Sequence, residues 1–78
     1  MAEGRLPAIS GRQVIEALMR KGFVLDRTIG DHHVLAYPDD PQRTVTVPVH
    51  ADRNLKPRTL QAIIPQTGLT VKEFVELL

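Results

Sequence analysis

The stretch Thr28-Ile29-Gly30-Asp31-His32-His33-Val34-Leu35-Ala36-Tyr37, TIGDHHVLAY, decides how this chain folds. Gly30 and Asp31 are residue types that tolerate positive φ, so they read as a tight turn. The run before the turn, Phe23 to Ile29, is rich in β-branched residues and predicts one strand. The run after it, His32 to Tyr37, predicts a second. Neighbouring side chains in a strand point to opposite faces. His32 and His33 therefore face different surfaces and have different roles.

Working outward, Pro38-Asp39-Asp40-Pro41-Gln42 is dense in turn residues and predicts a loop. Arg43-Thr44-Val45-Thr46-Val47 alternates cleanly and predicts a third strand, ended by Pro48. Three such runs with short connections make an antiparallel meander. Upstream, Ser10 and Gln13 have the spacing of a capping box. Val14, Ile15 and Leu18 form one apolar stripe, and Gly22 follows as a stop, so 11–21 is a helix. Downstream, Val49 to Lys56 is irregular. Pro57 suits the first turn of a second helix, with Leu60, Ile63 and Ile64 as its apolar face. Pro65 removes a backbone donor and crowds the preceding turn, so this helix is expected to bend or finish near residue 64. Thr70 and Glu73 form another capping box, opening a short last helix with Val71, Phe74, Val75 and Leu78. The order is α-β-β-β-α plus a terminal helical turn or two: an α+β fold with helices on one face of a three-stranded antiparallel sheet and the other face open.

With 78 residues, the chain is one domain whose core is small. Residues 1–8 read as a flexible lead-in and 9–78 as the domain. The sequence has no cysteine, so neither disulfides nor thiolate ligands hold it, which fits a reducing cytosol. No apolar run reaches the roughly 20 residues of a membrane span. The net charge of +1 gives no strong nucleic-acid signature. The distribution of cations says more: all but Lys72 lie within residues 5–58.

Two places carry chemistry. Histidine exchanges protons near neutral pH. RNA brings its own nucleophile, the 2′-OH, so an imidazole that takes that proton while cations hold the phosphate needs no metal. The plain alternative is a polar strand residue without a role. A metal site built from His32, His33 and His50 with Asp31 or Asp52 is disfavoured, because opposite-facing neighbours in a regular strand cannot close on one ion. The second place is Val47 to Thr59. Arg53, Lys56 and Arg58 meet a helix start there, a setting for phosphate. The alternative is a solvated connector.

Taken together, the motifs resemble the HicA toxin family, the small mRNA interferases of HicA–HicB toxin–antitoxin systems. The resemblance runs over about residues 9–78. It rests on Lys21-Gly22-Phe23, Gly30-x-His32-His33, Thr46-Val47-Pro48-Val49-His50, Leu55-Lys56-Pro57-x-Thr59-Leu60, and Gly68-Leu69-Thr70 before Glu73-Phe74. It implies a fold similar to a double-stranded-RNA-binding domain, in agreement with the order read above. It also implies translation-independent RNA cleavage with no cofactor, in the cytoplasm. His32 matches the family's catalytic histidine and Gly30 its turn glycine. Arg27, Arg53 and Lys56 are the candidate phosphate contacts, with Lys21 a weaker one. His50 is a candidate helper, and His33 is structural or supports its neighbour. The implied partners are mRNA and a HicB-like antitoxin, in a hetero-oligomer. The chain departs from the pattern at Asp31, where serine is usual, at Arg58, where glycine is common, and at Pro65. A carboxylate at 31 repels phosphate or else orients the ring of His32. The rival reading is a binding module that holds RNA or an antitoxin without cutting.

Overall fold

A computed structural model describes residues 6–78. The elements are α1 (Gly11–Lys21), β1 (Val24–Ile29), β2 (His32–Tyr37), β3 (Asp40–Pro48), α2 (Pro57–Thr67) and α3 (Val71–Glu76). The strands form one antiparallel sheet in the order β1-β2-β3. This is the expected α+β layout.

Both capping boxes form. The Ser10 hydroxyl accepts from the Gln13 N–H while the Gln13 side chain accepts from the Ser10 N–H, and Thr70 and Glu73 do the same at α3. Each box satisfies two backbone donors that a helix start otherwise leaves open. At the far end of α3, the Arg20 guanidinium donates twice to the Leu77 carbonyl, at 2.9 and 2.7 Å. A cation there also suits the negative end of the helix dipole.

The core lies between the sheet and the helices. Val14, Ile15, Ala17 and Leu18 of α1, Leu60, Ile63 and Ile64 of α2, and Phe74 of α3 close on Leu35, Val45 and Val47 of the sheet. Leu35 pairs with Val45 and His33 with Val47, so these residues share the helix-covered face. His32, Val34 and Ala36 take the other face, opposite Pro48, Thr46 and Thr44. No described helix covers that face, yet Val34 and Ala36 are buried outside the core cluster. They are small residues on the central strand, shielded by the strands on either side.

Two expectations need correction. The stretch 38–42 is not all loop: β3 begins at Asp40, and Tyr37 pairs with Asp40 across a turn of Pro38 and Asp39. The register shifts between Ala36 and Tyr37, which lets Pro41, Gln42 and Arg43 bulge. Pro41 is tolerated because β3 is an edge strand. The second correction concerns Pro65, which does not end α2 near 64; the helix continues to Thr67. The missing donor falls in the last turn, where it deprives only the exposed Gln61 carbonyl, and burial of Ile63, Ile64 and Thr67 holds the final turn in place. Of the expected lead-in, residues 1–5 lie outside the described residues, while Leu6 packs against the core.

Candidate functional site

The hairpin turn between β1 and β2 is set by Gly30, whose φ is +59°. That value favours glycine and is costly for residues with a Cβ. The turn delivers Asp31 and His32 to the end of the sheet. Opposite them β3 ends at Pro48, and the chain enters the irregular segment 49–56.

Backbone bonds fix this segment. The Val49 N–H donates to the Asp31 carbonyl at 2.7 Å, which ties it to the hairpin turn. The Leu55 N–H donates to the Ile9 carbonyl at 2.8 Å, and Ser10 bridges Asn54, which ties it to the start of α1. Between these ties, the Arg53 N–H donates to the His50 carbonyl at 3.0 Å. Ala51 sits inside that turn with φ +51°, the one non-glycine residue with positive φ among those described. Gly11 permits the approach of α1, since a Cβ there would stand 2.1 Å from the Pro48 carbonyl oxygen.

The result is a groove of about 480 Å³ lined by Pro48, His50, Arg53, Asn54, Leu55, Lys56 and Thr59. The volume is in the range of small-ligand sites. Arg53 and Lys56 both face into it. So does the start of α2, whose N-cap, Lys56, makes no side-chain cap bond. Uncapped N–H groups in a first helical turn favour an anion.

Next to the groove, Asp31 lies between two imidazoles. One carboxylate oxygen is 3.2 Å from Nδ1 of His32, and the other is 3.1 Å from Nδ1 of His50. Both rings are more than half exposed, with side-chain values of 55% and 64%, and Asp31 is 44% exposed. In each ring Nδ1 is the nitrogen in contact with the carboxylate. Neither Nε2 has a hydrogen-bond partner among the described residues. Asp31, His32 and His50 do not converge as ligands would, and no trio of His, Asp or Glu among the described residues could hold a metal ion.

The candidate residues separate in space. His50, Arg53 and Lys56 line the groove, and His32 stands beside it through Asp31 and its pairing with Pro48. Arg27 is apart. It pairs with Val34 on the open face, and its guanidinium contacts its neighbour Asp26 at 2.7 Å. Lys21 is at the end of α1 and does not line the groove. His33 faces the helix side, as the alternation of a strand requires, and its Nδ1 is buried without a partner among the described residues. Sequence reasoning missed that one carboxylate bridges both histidines. The Gly30-Asp31 turn places Asp31 beside His32, but the path that brings His50 back lies in a segment without periodicity.

Residues 11–69 match a family model described as the HicA toxin of bacterial toxin-antitoxin systems. No curated protein matches the chain.

Proposed function

Since the chain belongs to the HicA toxin family of bacterial toxin–antitoxin systems, which gives it the role of toxin and an antitoxin as partner, we propose that it is a metal-independent endoribonuclease that cleaves mRNA, with His32 as acid/base group. The observation that carries this reading is the exposed ring of His32 on the uncovered side of the sheet, beside a groove lined by Arg53 and Lys56. A phosphodiester seated on those cations and on the start of α2 presents the adjacent 2′-OH to an imidazole. Gly30 sets the turn that holds the ring. Arg27 adds a cation where an RNA strand crosses the open face. A HicB-like antitoxin that covers this side blocks RNA entry, and both partners act in the cytoplasm.

The test is incubation of the purified protein with RNA in the presence of a chelator, beside His32→Ala. Cleavage is expected to persist in chelator and to fall by about 10²- to 10⁴-fold in the variant. Binding without cleavage, or equal cleavage by both proteins, overturns the assignment. A second reading, a module that binds RNA or the antitoxin without cutting, is favoured by Asp31, whose charge opposes phosphate next to both rings. The same assay separates the two.

A further inference from the structure

We infer that Asp31 is a positioning residue that holds His32 and His50 as a paired base and acid, so that RNA is cut to a 2′,3′-cyclic phosphate and a 5′-hydroxyl. This rests on the nuclease reading above and assigns the second half of the proton transfer, which His32 alone does not supply.

The geometry has three parts. Asp31 offers one oxygen to Nδ1 of each ring, at 3.2 and 3.1 Å. A carboxylate this close to Nδ1 favours the neutral form with its proton on that nitrogen, which leaves Nε2 with a free lone pair. Asp31 thereby selects the tautomer that His32 needs as a base, in the manner of a carboxylate behind a catalytic imidazole. The second part is the anchoring of the rings. His32 is fixed by the hairpin, and His50 by the Val49 bond to the Asp31 carbonyl and the turn to Arg53. The third part is charge. Phosphoryl transfer to a 2′-OH by a base and an acid needs one neutral and one protonated group, and here a single carboxylate neighbours both rings.

The step balances. Nε2 of His32 takes the 2′-OH proton as the 2′ oxygen bonds to phosphorus. The bond from phosphorus to the 5′ oxygen breaks, and that oxygen takes the Nε2 proton of protonated His50. The positive charge passes from one ring to the other and stays beside the same carboxylate throughout. Exchange with water returns both rings to their starting states. Arg53 and Lys56 hold the phosphate oxygens on the groove side.

The test uses an RNA oligomer and its analogue in which the scissile 5′ oxygen is sulfur, a leaving group that needs no proton. His50→Ala is expected to lose about 10²-fold on the oxygen substrate and to cut the sulfur substrate within a few-fold of the parent protein. His32→Ala is expected to fail on both. Asp31→Asn keeps only one acceptor oxygen. It is expected to lower kcat by about 10- to 10²-fold through ring misplacement, with KM unchanged or lower, because a negative charge has left the phosphate site. End-group analysis should find the cyclic phosphate and the 5′-hydroxyl. Equal losses on both substrates for His50→Ala, no loss on either, rescue of His32→Ala by sulfur, 5′-phosphate ends, or an undiminished kcat in Asp31→Asn each overturn the pairing while leaving the nuclease reading in place. A parent protein that cuts neither oligomer removes the nuclease reading and the pairing together.

Discussion

Gly11 shows how a residue that does not line the groove helps to shape it. Its missing Cβ lets α1 lie against the end of β3, where an added carbon would stand 2.1 Å from the Pro48 carbonyl oxygen. That oxygen is backbone and cannot swing aside as the end of a side chain could. Gly11→Ala is therefore expected to lose about 1–3 kcal/mol, as overpacked sites do, read as a drop in the urea midpoint at constant slope. Pro48 also lines the groove and pairs with His32, so the RNA cleavage proposed above should be lost in the variant at denaturant concentrations that spare the parent. At this scale the sequence was partly legible. Strand alternation separates His32 from His33, and the Gly30 turn puts His32 at the end of the sheet. Gly11 carries no such mark, because its requirement comes from a carbonyl 37 positions away (from 11 to 48) rather than from its own turn. The bridge from Asp31 to His50 spans 19 positions (from 31 to 50) and was invisible for the same reason.

Among the elements, α3 is the one whose stability should follow pH most directly. The Glu73 carboxylate accepts from the Thr70 N–H and lies near Lys21, and these contacts hold its pKa below the ordinary carboxylate value, the bonds to Thr70 contributing most. A carboxyl with a depressed folded-state pKa adds stability above its unfolded pKa and loses it as pH falls through the folded one. Amide protection in α3, measured relative to the intrinsic exchange rate at each pH, should therefore be high at neutral pH and fall below about pH 4.5. In Glu73→Gln that acid-side change should shrink. A parent profile flat through the acid range would show that the box does not govern α3. Elements with local signals were legible: both boxes, the apolar stripe of α1 and the alternation of β3 past residue 43. The misread boundaries lie where tertiary packing outweighs local preference. Burial of Ile63, Ile64 and Thr67 carries α2 past Pro65, and pairing of Tyr37 with Asp40 starts β3 within a turn-rich stretch.

For the whole molecule, a net charge of +1 means that the RNA binding proposed above would have to come from placement of cations rather than their excess. Binding should then depend on a few phosphate contacts. For single-stranded RNA, each neutralised phosphate adds about 0.7 to the slope of log affinity against log salt. With His32→Ala used to prevent cutting, Lys56→Gln is expected to lower that slope by about 0.7, equally for unrelated RNA sequences, as read by fluorescence anisotropy over a salt series. An unchanged slope would take Lys56 out of the phosphate contacts. The antitoxin partner follows from family membership, and the uncovered sheet face gives it room to dock. That face was foreseen from the element order, since two helices and a short third cannot cover both sides of a three-stranded sheet.

The segment from Val49 to Lys56 borrows its shape from both the hairpin turn and the stretch just ahead of α1. Its working geometry is thus owned by no single part of the chain. Warming that frees either mooring would scatter His50, Arg53 and Lys56 while helices and sheet still give their full spectroscopic signal, so the proposed cleavage would be the first property to fail and ellipticity the last.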